Sequence, residues 1–112
     1  MKDFIDKHLS NVKFATKKEK EKEIWDVSGI LKNRLNQKLK YDIRPYSMDI
    51  NGRNVKPLTT RSKADKIVFE QPDKWIVVEA VELHNFIIAH KLQEINLNEI
   101  VGALEWNVNI KK

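Results

Sequence analysis

The sequence contains no cysteine and few residues that interrupt regular structure. The absence of cysteine among its 112 residues excludes disulfide bonds, thiolate metal sites and a cysteine nucleophile. It suits a reducing compartment, and we expect a cytoplasmic protein. Only three glycines and three prolines are present, and no apolar run is long enough to cross a membrane. Residues 1–10 carry four Lys or Asp side chains, which is unlike a secretory signal.

The chain has the length and composition of one folded domain. Its 112 residues are 41% hydrophobic, which is enough for a single core. We therefore predict one domain over residues 1–112, with 1–15 as an N-terminal arm and 16–112 as an α+β core.

Basic residues are concentrated in the first part of the chain. The formal net charge is +5, but residues 1–66 hold 17 Lys or Arg and 9 Asp or Glu, whereas residues 67–112 hold 4 and 7. The first part can therefore attract an anionic partner such as nucleic acid. The ordinary alternative is that its lysine-rich faces are simply solvated.

Helical signals dominate residues 1–40. Residues 3–9 predict a short amphipathic turn, and Thr16 with Glu19 forms a capping-box pattern that predicts a helix starting at Lys17. Apolar residues then recur at spacings of three and four, which extends this helix to about Lys40. The residues of this stripe are Ile24, Val27, Leu31, Leu35 and Leu39.

A first hairpin is predicted for residues 41–58. Pro45 interrupts its first extended run, which favours an edge strand because proline cannot donate to a ladder. The pair Asn51-Gly52 readily adopts the positive φ values of a type I′ turn, so the chain should reverse there. Residues 53–58 would form the short return strand.

The strongest strand pattern lies in residues 64–83. Two β-branched and aromatic runs flank the turn-forming residues 71–74. In the second run, odd-numbered and even-numbered residues form two mainly apolar faces, which predicts a central strand covered on both sides. Glu79 lies on one of these faces and, if buried, needs a cation, a hydrogen-bond donor or a metal. The alternative is a position at an end of the sheet, paired with Arg or Lys.

The last third of the chain predicts a helix and a strand. Residues 84–95 are apolar over more than half of a helical surface, and residues 104–110 alternate between apolar and polar. The predicted fold is α+β, with a long N-terminal helix and a C-terminal helix that covers the sheet. The sheet is predicted to be mainly antiparallel, with four to five strands from two hairpins and a C-terminal strand.

The predicted order of a long helix, two strand pairs, one or two helices and a final strand resembles the core of the PD-(D/E)XK nucleases, which is a helix, three strands, a helix and a strand. Asp65, before the first run of the hairpin, and Glu79, in the second, look like that family's two hairpin acids, and Glu23 like the acid of its first helix. The resemblance implies Mg²⁺ or Mn²⁺ held by Asp65 and Glu79, with water activated beside a phosphodiester. The family's proline before the first acid is missing. Val81 stands where the family has its lysine, and only a displaced cation such as Lys66 restores the pattern.

Three functions are compatible with these patterns. The first is a small, basic, non-catalytic nucleic-acid-binding accessory or regulatory protein, of the kind that phages and mobile elements encode, acting on DNA or RNA without a cofactor. Its predicted contacts, together with cations of the long helix, are Arg53, Lys56, Arg61, Lys63 and Lys66.

The second function is a PD-(D/E)XK-like metal-dependent nuclease, or a degenerate remnant of one, with Asp65, Glu79 and Lys66 at its site. The third is a protein-binding inhibitor or regulator of a larger host complex, and a protein partner or a homodimer would fit it. No membrane partner is expected. Non-catalytic binding comes first because an active site normally needs several convergent groups, and the sequence offers only two or three.

Overall fold

The described part of the protein contains three helices, eight strands and a further helical stretch at residues 101–103. The computed structural model describes residues 2–44, 54–55, 63–91, 95–96 and 101–112. The helices are α1 (Lys2–His8), α2 (Lys17–Lys22) and α3 (Ala80–Ala89). The strands are β1 (Leu9–Phe14), β2 (Val27–Leu31), β3 (Lys38–Arg44), β4 (Asn54–Val55), β5 (Lys66–Glu70), β6 (Lys74–Glu79), β7 (Ile95–Asn96) and β8 (Asn107–Lys111).

Six of these strands form one mixed sheet in the order β1-β2-β3-β5-β6-β8, and β4 pairs with β7 in a separate ladder. Strands β3 and β5 run parallel, whereas all other neighbours in the sheet are antiparallel. The predicted α+β class is confirmed. The prediction was a mainly antiparallel sheet of four to five strands built from two hairpins and a C-terminal strand, whereas the sheet has six strands with a parallel pair at its centre.

The long N-terminal helix was wrongly predicted. Its capping box is present, because the Thr16 hydroxyl accepts from the Glu19 amide at 3.1 Å and the Glu19 carboxylate accepts from the Thr16 amide at 3.0 Å. The helix ends at Lys22, however, and strands β2 and β3 follow it. A spacing of four residues is even, so Val27 and Leu31 share one face of a strand as readily as one face of a helix. Periodicity alone could not separate the two structures.

Strand β1 forms one edge of the sheet and contains a bulge. Its register with β2 shifts between Ser10 and Lys13, so two residues of β1 lie opposite Gly29. Asn11, inside the bulge, has a φ of 52°, a conformation that asparagine tolerates. A Cβ atom at Gly29 would lie 3.0 Å from the Ser10 carbonyl oxygen, so glycine permits the close approach of the strands. Residues 1–15, predicted as an arm, thus supply α1 and an edge strand.

Helix α1 covers one face of the sheet. Phe4 and Ile5 are buried on it, as the amphipathic pattern of residues 3–9 predicted. They pack into a cluster with inward-facing residues of all six strands of the sheet, so the N-terminal segment is part of the core. The buried members contributed by the strands are Leu9, Val27, Leu31, Tyr41, Ile43, Val68, Trp75, Val77 and Ile110.

Helix α3 covers the opposite face. Its buried side packs on the even-numbered residues of β6 and the odd-numbered residues of β5, in a cluster that also includes Leu104. The helix spans Ala80–Ala89, so the predicted helix of residues 84–95 was wrong at both ends: residues 80–83, predicted as the end of a strand, are helical, and Ile95 lies in β7. Val81 is exposed and Leu83 is buried, whereas the alternation of a strand would place both on one face.

The central hairpin is confirmed by the pairing of β5 with β6. Their antiparallel register runs from Lys66 opposite Glu79 to Glu70 opposite Trp75. The hairpin lies between β3 and β8, and its two faces contribute to separate apolar clusters. This is the two-sided burial that the alternating pattern predicted.

The remaining strand predictions had mixed outcomes. Strand β3 lies between β2 and β5, so its predicted position at an edge was wrong. Pro45 and the turn at Asn51-Gly52 lie outside the described residues, and β4, within the predicted return strand, pairs with β7. The C-terminal strand is confirmed as β8, which forms the second edge of the sheet. None of the helices in the described ranges is long and apolar enough to span a membrane.

Tyr41 offers a test of this core, because its buried hydroxyl has no hydrogen-bond partner in the described part of the chain. Burial, together with the negative charge of Asp65, raises the pKa of Tyr41 to about 12. The folded state holds this proton more tightly than the unfolded state, so stability should decline as the pH rises from about 10 to about 12.

We expect Tyr41→Phe to remove this component of the alkaline decline. It should also raise the free energy of unfolding at neutral pH by ~1 kcal/mol, because no hydrogen bond is lost with the hydroxyl. Urea unfolding of both proteins at neutral pH and above pH 10 checks this. A variant that is less stable than wild type at neutral pH would show that the hydroxyl makes a stabilising contact.

Candidate nucleic-acid interface

Charged residues from four segments meet at the end of the sheet where β3 and β5 begin and β6 ends. Lys66 lies opposite Glu79 across β5 and β6, and the preceding residue, Asp65, bonds through its backbone to Lys40 of β3. We name this group the charged end. Its members are Glu23, Lys40, Lys63, Asp65, Lys66 and Glu79.

Lys66 is an enclosed cation in this group. The residue is only 8% exposed, and its Nζ lies 3.8 Å from a carboxylate oxygen of Glu79 and 3.9 Å from the centroid of the Trp106 ring. The carboxylate and the aromatic face replace the water that a buried ammonium group loses. Little of the ammonium surface is therefore free to contact a phosphate.

Glu79 lies at the margin of the sheet. It is the last residue of β6, its side chain is 44% exposed, and its partner is Lys66. Of the two positions that the sequence allowed for Glu79, the structure has the one at an end of the sheet, paired with a cation, and not the one buried inside the strand. An ion pair this open to solvent contributes about 1 kcal/mol or less.

Asp65 and Glu23 contact donors within the chain. The Asp65 carboxylate accepts from the Lys40 amide at 2.8 Å, and the Asp65 amide donates to the Lys40 carbonyl at 2.8 Å. These bonds continue the connection between β3 and β5. Glu23 Oε1 accepts from Trp25 Nε1 at 3.2 Å and from Lys40 Nζ at 3.3 Å. Both bonds stabilise the ionised carboxylate and lower the pKa of Glu23.

The residues of the nuclease hypothesis thus share one end of the sheet, but they do not converge on one point. Asp65 contacts a backbone amide, Glu79 contacts Lys66, and Glu23 contacts a tryptophan and a lysine. Within the described ranges, no group of three or more His, Asp or Glu side chains is arranged to hold a metal ion. The carboxylate oxygens that Mg²⁺ or Mn²⁺ would need as ligands each contact a different group of the protein.

Among the predicted nucleic-acid contacts, Lys63 has a well-defined place. The residue is exposed, and its amide donates to the Glu23 carbonyl at 2.7 Å, which places Lys63 beside the C-terminal end of α2. Lys66 is enclosed, as described above. The predicted contacts Arg53, Lys56 and Arg61 lie outside the described residues.

Helix α2 presents lysines to solvent along its whole length. It has no buried residue, and Lys20 forms an ion pair with Asp26 at 3.3 Å. The three other lysines of α2, and Lys63, form no ion pair with any described residue. We name these four exposed lysines the α2 surface. Its members are Lys17, Lys18, Lys22 and Lys63.

Two aspartates with contacts at β2 and β3 were missed by the sequence predictions. Asp26 accepts from the Ile43 amide at 2.8 Å, which joins the start of β2 to β3. Asp42 is buried and lies 3.5 Å from Arg44. Burial raises the pKa of Asp42, while Arg44 opposes that shift. The sequence did offer one signal for the burial of Asp42, because this carboxylate lies between two apolar residues, Tyr41 and Ile43.

Glu82 was also missed, although its side chain holds the segment that leads into β8. Its carboxylate accepts from the Glu105 amide at 2.6 Å and from the Trp106 amide at 3.1 Å. Because Trp106 lies over Lys66, this contact also supports the charged end. No local pattern around Glu82 indicated a partner more than twenty residues later.

Comparison with known proteins finds no family model that matches the chain, and no curated protein or solved structure that is significantly similar to it. Function therefore has to be inferred from the charges and contacts of this chain.

Proposed function

We propose that this protein binds nucleic acid without cleaving it, as a small accessory or regulatory protein. The α2 surface supports this function. Its four lysines come from two segments that are distant in sequence, and the bond between Lys63 and Glu23 brings these segments together. Lysines without carboxylate partners attract a phosphate backbone and release its counterions on binding.

The dimensions of the α2 surface suit several neighbouring phosphates. A helix of six residues is about 9 Å long at ~1.5 Å per residue. One strand of B-form DNA presents about three phosphates over that distance, at ~3.4 Å of axial rise each. If each of the four lysines neutralises one phosphate, a plot of log K against log salt should have a slope of about −3 to −4.

The decisive experiment removes three of these charges together. We expect the variant Lys17→Gln/Lys18→Gln/Lys63→Gln to bind DNA or RNA at least about tenfold more weakly at low salt. Its salt slope should become less negative by about 3, since each lost phosphate contact removes about one unit. Fluorescence anisotropy with labelled oligonucleotides over a range of salt concentrations measures both quantities.

A matched control makes the same charge change elsewhere. The variant Lys74→Gln/Lys91→Gln/Lys111→Gln alters three lysines in the acidic part of the chain, none of which forms an ion pair with a described residue. It should keep affinity within about twofold if the α2 surface carries the binding. Equal losses in both variants, or no affinity of the wild type for DNA or RNA at low salt, would refute the proposed function.

The other two functions stay predictions. Asp65 and Glu79 occupy the same end of the hairpin, with Lys66 beside Glu79, which is compatible with the arrangement that the nuclease resemblance implies. We place that function second because their carboxylates already contact Lys40 and Lys66. An inhibitor or regulator of a host complex would use an edge strand, β1 or β8, to which a partner can add a strand.

A further inference from the structure

We infer that a second site, at the opposite end of the β1–β2 ladder from α2, binds a backbone phosphate of the nucleic acid. This inference rests on the proposed function and extends it by a defined contact. The site combines the end of α1 with the turn after β2. We name it the His8 corner, and its members are Lys7, His8, Lys32 and Arg34.

His8 is held in place by both the helix and the ladder. It is the last residue of α1, and its carbonyl accepts from the Lys32 amide at 2.9 Å. This bond extends the ladder one residue beyond the pair of Leu9 and Leu31. On the helix side, the Phe4 ring lies with its centroid 5.5 Å from that of the imidazole. The imidazole therefore has a fixed position relative to the turn.

The turn that carries the other two cations is also well defined. Asn33 adopts a φ of 62°, a left-handed conformation that asparagine tolerates. The amides of Arg34 and Leu35 both donate to the Leu31 carbonyl, at 3.3 and 3.1 Å. Leu35 packs against the apolar cluster under α1, which anchors the turn. The backbone of Lys32 and Arg34 is thereby held beside His8.

The positive charge at this corner is not neutralised by the described chain. Lys7, Lys32 and Arg34 are exposed and form no ion pair with any described residue. Burial of the imidazole, followed by the positive charges of these three residues, lowers the pKa of His8. The remaining charged groups of α1 are Lys2, Asp3 and Asp6, and neither carboxylate forms an ion pair with the corner.

A phosphate group is the anion that this arrangement suits. The Arg34 guanidinium can contact two phosphate oxygens with its planar fork, and the two lysines act as mobile point charges. A bound phosphate would offset the repulsion among the cations and favour the protonated imidazole. Binding should therefore take up a proton at His8 and should strengthen as the pH falls.

The distance between the two basic groups is compatible with one ligand. Strand β1 has six residues, which separate the His8 corner from the start of α2 by roughly 20 Å at ~3.3 Å per residue. Lys13 and Phe14 are exposed along this edge. About six base pairs of B-form duplex span that length. A nucleic acid that lies along β1 can therefore contact both the His8 corner and the α2 surface.

Nuclear magnetic resonance of the three histidines tests the site directly. We expect a short DNA duplex to raise the pKa of His8 in the full chain, while the ring resonances of the exposed His90 should not respond to the duplex and serve as the internal control. In the variant Lys32→Gln/Arg34→Gln the shift at His8 should disappear and affinity for the duplex should fall about tenfold. The charge-matched variant Lys74→Gln/Lys111→Gln should retain both.

The outcomes separate this site from the proposed function. A duplex that binds while His8 does not respond, in the wild type, overturns the His8 corner and leaves the α2 surface intact. An equal response of His8 to an oligoglutamate peptide of matched charge also overturns it, because a phosphate site should prefer phosphate. If the chain binds no nucleic acid but inorganic phosphate still moves His8, the proposed function fails and the corner stands as a phosphate site.

Discussion

Phe4→Ala should lower the free energy of unfolding by about 3–5 kcal/mol, because it removes a large buried side chain and leaves a cavity. Phe4 has no exposed surface. Its ring meets Trp75 edge-on with centroids 5.2 Å apart and lies 6.4 Å from the Tyr41 ring. Helix α1 has only seven residues, and a helix this short depends on such burial for its stability. Losing Phe4 should therefore detach α1 from the sheet.

The matched control is Phe14→Ala, the same chemical change at a side chain that is 61% exposed. It should alter stability by no more than ~0.5 kcal/mol, as exposed substitutions usually do. Urea unfolding gives both values, and the melting temperature of Phe4→Ala should fall by roughly 10–20 °C. Similar losses in the two variants would mean that α1 does not cover the sheet as described.

Glu82→Ala should cost about 1.5–3 kcal/mol, because it removes a charged acceptor from two backbone amides. The amides of Glu105 and Trp106 donate to this carboxylate at 2.6 and 3.1 Å. These bonds tie the start of α3 to the segment that leads into β8. Without them, Trp106 should leave its position over Lys66, and the amides of β8 should exchange faster with solvent.

Glu105→Ala is the control for Glu82→Ala. It removes the same charge from an exposed side chain, while its backbone amide still donates to Glu82. We expect little change in stability and unchanged exchange of the Trp106 amide. Hydrogen exchange combined with urea unfolding measures both effects. If the two variants behave alike, the carboxylate of Glu82 does not anchor β8.

The parts of the fold that were predicted correctly depend on neighbours in sequence. The capping box at Thr16 and Glu19, the apolar side of α1, the hairpin in residues 64–83 and the final strand each follow from residues only a few positions apart. Caps, turns and alternation act over this short range, so they can be recognised without a partner.

The extent of the first long helix could not be predicted, because its pattern fits two structures. Val27 and Leu31 lie on one face in either a helix or a strand. What favours β2 is pairing with β1 on one side and β3 on the other, including the close approach at Gly29. These contacts join segments that no local pattern connects. Strand β3 was predicted as an edge strand because of Pro45, and only its pairing with both β2 and β5 places it inside the sheet.

The candidate contacts show the same division. Lys63 and Lys66 are nearly adjacent in sequence and were predicted to act alike, but Lys63 is exposed and Lys66 is enclosed by Glu79 and Trp106. The His8 corner combines residues from α1 and from the turn after β2. No cluster of basic residues in the sequence indicated this site. A lysine's neighbours across the sheet determine whether its charge is available.

The sequence by itself determined the α+β class, the two-sided central hairpin and the excess of positive charge in the first part of the chain. These properties follow from composition and from short-range patterns of burial. Only the tertiary structure decided the strand order, the end of α2 and which cations of the described residues have no ion-pair partner. The physical reason is that burial and ion pairing depend on contacts between distant segments, and those contacts arise only when the sheet has formed.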